Sequence, residues 1–178
     1  AYQWRTKLKK FKINVSQILL TLEDSEVRRR YLNARNTISS LQNKNIIPII
    51  NENDTVATEE IRYGDNDKLA ARVAQMIEAD LLILLSDVDG LYEDNPKKVK
   101  NAKKLSEIFK IDKRIENIAK SQTSELGSGG MTTKIIAAKI CSDNGCTTVI
   151  TNSNKNNPIT SIDINNSTFF YPVTSKNS

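Results

Sequence analysis

The sequence predicts an α/β fold built on a parallel sheet covered on both faces. Three observations carry that expectation. Ile46–Ile50, Asp80–Leu85 and Thr147–Thr151 are short, nearly unbroken apolar runs of strand length. A strand buried on both faces reads this way, whereas a half-exposed strand alternates. Segments with helical periodicity lie between the runs, as crossover connections between parallel strands require. Each run is also followed by polar residues: Asn51–Asp54, Ser86–Asp89 and Asn152–Asn154. In open parallel sheets ligands bind beyond the carboxyl ends of the strands, so these segments are the places to look for chemistry.

Taken in order, Ala1 to Phe11 reads as a short helix, with Trp4, Leu8 and Phe11 at helical spacing. Val15 to Thr21 is a strand candidate. Asp24-Ser25 can cap a helix reaching about Asn43, with Val27, Tyr31, Ala34, Ile38 and Leu41 on one face. The run Ile46–Ile50 contains Pro48, which is unusual within a central strand. Polar Asn51 to Gly64 follows as a loop. Asp65-Asn66-Asp67 opens a helix over roughly Lys68–Ala79, and Asp80–Leu85 is the next strand. Asp89-Gly90 turns the chain and Asn95-Pro96 breaks it. Two short helices are expected between Lys104 and Gln122. Gly127-Ser-Gly-Gly130 is a tight loop leading into a helix from Met131 to Asn144, and Gly145 is its natural stop. After the strand Thr147–Thr151 come an Asn-rich loop and a last edge strand over Ser167–Val173.

The 178 residues suffice for one domain with a sizeable core. There is no histidine, which removes Ser-His-Asp and Cys-His nucleophile systems, His-ligated zinc and the commonest general base. Cys141 and Cys146 are the only cysteines. They are too few for a disulfide framework or a zinc site, and read as small buried residues in a reducing compartment. The cytoplasm is therefore the expected location. No run approaches a membrane span, and the basic first residues lead into no apolar signal segment. The net charge of +5 comes from scattered lysines without interleaved aromatic residues. That fits a solvated surface, or an anionic small substrate, better than nucleic acid.

Four constellations can carry chemistry. In Gly127-Ser-Gly-Gly-Met-Thr-Thr-Lys134, glycines let backbone N–H groups approach an anion, and the following helix adds its positive end. Lys134 lies one turn in and can reach a phosphate as a point charge. The spacing is not that of the Walker A loop, and a loop with a surface lysine is the plainer alternative. Asn51-Glu-Asn-Asp54 offers amides that donate to a carboxylate and carboxylates that accept from an ammonium, as an amino acid requires. It can equally be an Asx-rich turn. Gly64-Asp-Asn-Asp67 either caps a helix or orients a lysine beside bound substrate. Ser86-Asp-Val-Asp-Gly-Leu-Tyr92 sets a Ser and an Asp at a strand end, suited to a ribose or adenine edge, or forms a plain turn.

Together these residues resemble the amino-acid kinase family, in particular its branch that phosphorylates glutamate at the head of proline synthesis. The resemblance rests on Tyr31–Thr37, Ile49-Ile-Asn-Glu-Asn-Asp-Thr-Val-Ala57, Gly64–Asp67, Leu85–Tyr92 and Gly129-Gly-Met-Thr-Thr-Lys-Ile-Ile-Ala-Ala138, in family order from Val15 to Ile150. It implies a three-layer αβα sandwich with a mainly parallel open sheet. It implies phosphoryl transfer from MgATP to the γ-carboxylate of L-glutamate, with ATP and Mg²⁺ as cofactors. Asp54 and Asn66 match glutamate-binding positions, with Asn51 and Asp65 beside them. Asp67 matches an aspartate that organises catalytic lysines, and Lys134 a lysine on the transferred phosphate. Ser86, Asp87, Ser128, Gly129, Gly130, Met131, Thr132 and Thr133 match nucleotide-binding segments. No protein-bound metal site is expected. A homo-oligomer and channelling to a glutamyl phosphate reductase are implied partners.

The chain departs from the family in two places. Members begin with a strand entering a Gly-rich loop that carries another phosphate-binding lysine, and nothing from Ala1 to Val15 resembles it. Tyr2–Phe11 instead resembles a helix from the middle of the domain. Residues 1–173 are thus expected to be the larger, C-terminal part of the kinase domain, with 174–178 a tail. Asn152–Asn157 also lacks the glycine usual after that strand. The alternatives are a relative acting on another carboxylate or a carbamate, and a non-catalytic nucleotide-binding fragment.

Overall fold

A computed structural model describes residues 2–55, 65–96, 98–122 and 130–173. The chain forms two compact units, Ala1–Leu69 and Ala70–Ser178. Both are α/β; the strand pair of the first is parallel, and the second has two parallel and two antiparallel pairs.

The first unit is a β–α–β arrangement. Helix α1 (Tyr2–Lys9) precedes strand β1 (Asn14–Leu20), the one-turn helix α2 (Glu23–Glu26), helix α3 (Arg28–Asn43) and strand β2 (Ile46–Glu52). Strands β1 and β2 pair in parallel, from Asn14 opposite Ile46 to Leu20 opposite Glu52. Pro48 lies within the ladder opposite Ser16. In a two-stranded parallel pair half the N–H groups point away from the partner, which leaves room for a residue that has none.

The expected helix capped by Asp24 is divided. The Asp24 carboxylate accepts hydrogen bonds from the Thr21 amide at 2.6 Å and the Thr21 hydroxyl at 2.8 Å. It closes a turn behind itself rather than capping a helix ahead. Val27 is extended, and α3 starts after it without a side-chain cap. Of the expected apolar face, Val27 lies before the helix and is 47% exposed, Tyr31, Ala34 and Leu41 are half-buried, and Ile38 is fully buried. Helix α1 has the expected periodicity but ends at Lys9 and buries no residue; Trp4 is 57% and Phe11 75% exposed.

Helix α4 (Asn66–Met76) contains the boundary between the units. Beyond it come strands β3 (Leu81–Ser86), β4 (Leu91–Tyr92), β5 (Lys104–Leu105) and β6 (Glu107–Ile108). Helices α5 (Lys113–Gln122) and α6 (Met131–Ser142) follow, then strands β7 (Thr147–Asn152) and β8 (Ser167–Phe170). The sheet order is β3-β7-β8-β6, with β3 parallel to β7, β7 antiparallel to β8, and β8 parallel to β6. Strands β4 and β5 form a separate antiparallel pair. Helices α5 and α6 pack together, and Ile115, Ala119, Ile135, Ala138 and Cys141 join Leu84, Ile150 and Phe170 in the core.

Two expectations are corrected here. The segment from Lys104 holds two short strands and one helix, not two helices. Lys104 and Leu105 pair with Tyr92 and Leu91, and Ile108 pairs with Phe170. Helix α5 begins only where the Asp112 carboxylate caps the Ile115 amide at 3.0 Å. Strand β8 is not an edge strand but lies between β7 and β6, which accounts for the complete burial of Phe170.

Helix α6 stops as its sequence predicts. The Cys146 amide bonds the Cys141 carbonyl at 3.0 Å and the Gly145 amide bonds Ser142 at 3.3 Å, with Gly145 at φ +71°. These are the two bonds of a Schellman ending, which needs a left-handed residue. The turn buries Cys146 beside Cys141, and neither is in a disulfide. The neighbouring Cys146 thiol and then burial push the Cys141 thiol up, away from the thiolate form that reacts. No helix among the described residues is long and apolar enough to cross a membrane.

Candidate functional site

In the second unit, polar groups converge at the carboxyl ends of β3 and β7. Ser86 closes β3 directly opposite Asn152, which closes β7. The Ser86 side chain is buried and donates to the Asp87 carboxylate at 3.1 Å. The Ser153 amide donates to the Ser86 carbonyl at 2.7 Å, and the Asn152 side-chain amide to the Asp87 carbonyl at 3.3 Å. The Asp87 carboxylate itself remains at the solvent-exposed surface.

The turn after Asp87 is fixed by Gly90. A side chain there would put Cβ 2.2 Å from the Thr168 hydroxyl oxygen, at a φ of +153° that disfavours other residues. That hydroxyl accepts the Leu91 amide at 2.9 Å and donates to the Leu105 carbonyl at 2.7 Å. One buried threonine thus holds β4 and β5 together. The Asp89 carboxylate accepts the Tyr92 hydroxyl at 2.8 Å. Burial, reinforced by that bond, pushes the Tyr92 phenol up to about 12.

Helix α6 begins at Gly130, which supplies no capping side chain, and its first turn holds no acidic residue. Its positive end is therefore not neutralised from within the helix. Met131, Lys134 and Ile135 share its buried face, and Lys134 is only 8% exposed. The Thr133 hydroxyl donates back to the Gly130 carbonyl at 2.8 Å, keeping the first turn tight. Gly127, Ser128 and Gly129, expected in the phosphate loop, lie outside the described residues.

In the first unit, Asn51 belongs to β2 itself, opposite Leu19, rather than to the loop beyond it. The Asn53 amide bonds the Leu20 carbonyl at 2.8 Å. Asn51, Asp54 and Asn66 are exposed, and Asp65 and Asp67 half-buried. The Asp65 carboxylate accepts the Lys68 amide at 2.9 Å, so it caps α4. Gly64 lies outside the described residues. Among the described residues no group of His, Cys, Asp or Glu is arranged to hold a metal ion.

The sequence reading passed over Thr168 and Lys104. Thr168 lies 77 residues from the Leu91 amide it holds, and no local pattern marks such a pairing.

Residues 1–152 match the amino acid kinase family. A glutamate 5-kinase of Pelagibacter ubique is 61% identical over 168 residues, which are 94% of this chain and 46% of that protein. A glutamate 5-kinase of Paramagnetospirillum magneticum is 50% identical over 173 residues, 97% of this chain and 47% of that protein. The chain thus spans about half the length of these curated relatives. Among solved structures, UMP kinase from Ureaplasma parvum has a TM-score of 0.58 at 20% identity, over 93% of this chain and 63% of that one. Carbamate kinase from Giardia lamblia bound to AMP-PNP has a TM-score of 0.54 at 21% identity, over 78% of this chain and 44% of that one. Both share its α/β fold.

Proposed function

Since the chain belongs to the amino acid kinase family, we propose that it is the larger part of a glutamate 5-kinase domain. That domain would transfer the γ-phosphoryl group of MgATP to the γ-carboxylate of L-glutamate, the first step of proline synthesis. The supporting observation is the start of α6, a helix N-terminus whose cap residue Gly130 has no side chain and whose first turn has no acid, with Lys134 one turn in and buried. Such a terminus favours an anion, and a lysine there adds a full charge.

The acceptor is a carboxylate, ionised at neutral pH because its reference pKa is about 4.3. Its oxygen attacks the γ-phosphorus, the bond to the β,γ-bridging oxygen breaks, and ADP leaves with that oxygen's electron pair. Glutamyl 5-phosphate remains. No proton is removed from the nucleophile, so a chain without histidine loses nothing. The work left to the protein is alignment and neutralisation of the equatorial oxygens. In this reading Lys134 and the Gly129-Gly130 backbone supply part of that charge, and Mg²⁺ enters with the nucleotide. Ser86, Asp87, Ser128 and the segment Met131–Thr133 hold ATP. Asp54 and Asn66 hold glutamate, with Asn51 and Asp65 beside them, and Asp67 orients the lysines.

Residues 1–173 are read as part of one kinase domain and 174–178 as a tail. The protein would work in the cytoplasm as a homo-oligomer and pass its product to a glutamyl phosphate reductase. The test is trapping with hydroxylamine on the full-length gene product. Glutamyl hydroxamate should form only with both MgATP and L-glutamate. Equal turnover with carbamate or UMP as acceptor, or none with glutamate, would overturn the reading.

A further inference from the structure

We infer that Lys104 is a positioning residue for the nucleotide, acting by joining the loop after β3 to the loop after β7. The inference rests on the proposed kinase reading and adds to it a residue outside the family motifs quoted above.

Lys104 is in β5, opposite Tyr92. Its ammonium lies 3.5 Å from one Asp89 carboxylate oxygen and donates to the Asn165 carbonyl. The side chain is 13% exposed. Asp89 belongs to the loop after β3, and its other oxygen holds the Tyr92 hydroxyl. Asn165 belongs to the loop after β7, where Asp163 shapes the turn. One Asp163 oxygen accepts the Asn165 and Asn166 amides at 2.7 and 2.8 Å, and the other accepts the Asn166 side chain at 2.9 Å. Lys155 reinforces this turn by donating to the Asn166 carbonyl at 3.1 Å.

The two loops are already joined at their roots, where Ser153 bonds Ser86 and Asn152 bonds Asp87. Lys104 joins them a second time, through Asp89 and Asn165. Two ties make the pair of loops a single platform, whereas one tie would leave a hinge. The β4–β5 pair has no need of this cation for its register, because Thr168 bonds both strands. Ordering a lysine side chain costs rotamer entropy. The cation is therefore best explained by what it holds. Ligands of parallel sheets sit beyond these strand ends, and Asp87, at the root of the platform, is a candidate nucleotide contact.

The experiment measures MgATP binding and turnover separately in the full-length protein, for wild type, Lys104→Met, Lys104→Arg and Asp89→Asn. Lys104→Met should raise the Kd and KM for MgATP about tenfold, since small misplacements of binding groups carry costs of that size or more. The KM for glutamate and the melting temperature should stay near wild type. Lys104→Arg should recover most of the loss, and Lys104→Met combined with Asp89→Asn should be no worse than Lys104→Met alone. Hydrogen exchange should accelerate together at residues 87–90 and 163–166 in Lys104→Met. An unchanged Kd for MgATP would overturn the inference. So would equal losses for both substrates, or a fall in melting temperature that accounts for the binding loss. A wild type that binds MgATP but does not phosphorylate glutamate would overturn the proposed acceptor and leave Lys104 to be judged on binding. A wild type that binds no MgATP would overturn both.

Discussion

Helix α4 starts with the Asp65 carboxylate on its own Lys68 amide at 2.9 Å, whereas α6 starts at Gly130 with no capping side chain and no acid in its first turn. Both helix starts carry candidate site residues, yet only one satisfies its amides with its own side chain. An internal carboxylate makes the start of α4 less receptive to anions, and Asp54 and Asn66 are exposed. The start of α6, where the cap residue Gly130 has no side chain, suits a phosphate on the proposed reading, with Lys134 buried one turn in. The surroundings differ in the same sense. The loop after β3 is fixed by Thr168, Asn152 and Tyr92. A group that must neutralise developing charge gains by being rigid before substrate arrives.

The largest expected effect breaks the α6 side. Lys134→Ala should lower kcat by roughly 10²–10³-fold, the usual loss for one preorganised electrostatic partner, with little change in the glutamate KM. A loss confined to KM would remove Lys134 from the transition state. Next comes the rigidity of the β3 loop. Gly90→Ala should destabilise the fold by about 3 kcal/mol through overpacking against Thr168 and backbone strain, seen in chemical denaturation. Third, Gly130→Asp would give α6 the kind of cap that α4 has. Its backbone at φ −71° accepts any residue, so the melting temperature should hold or rise while MgATP binding weakens about tenfold by charge repulsion. Tight MgATP binding by this variant would mean that the phosphate sits elsewhere. Asp65→Ala opens the α4 side and should cost about 1 kcal/mol of stability, again by denaturation. Smallest is Tyr92→Phe. The folded protein holds the Tyr92 proton up to about 12 against an ordinary value of 10.0. The stability this contributes is fully present below pH 10 and lost as pH rises through 12. A pH titration of unfolding should show that loss in the wild type and not in Tyr92→Phe.

Much of the molecule was legible from local pattern. The runs at Ile46, Asp80 and Thr147 are strands because apolar residues of that length fit nothing else between turn signals. Helix α6 and its Gly145 ending follow from periodicity and from the need for a left-handed residue. Failures came where a remote partner outweighed the local preference, or where two local partners competed. Lys104–Ile108 carries no decisive strand signal and becomes strand by pairing with Leu91, Tyr92 and Phe170. Asp24 looked like a cap for the helix ahead and instead bonds Thr21 behind it, because a short carboxylate reaches either neighbour equally well.

By itself the sequence determined the α/β class, the strand ends where polar residues gather, and the absence of histidine that the proposed chemistry does not need. Those properties depend on residue type and spacing, which a chain displays before it folds. Tertiary structure alone decided that Thr168 clasps the β4–β5 pair, that β8 is interior, and that Lys104 reaches both Asp89 and Asn165. These contacts join residues far apart in the chain, and closing a long loop leaves no mark in the local sequence.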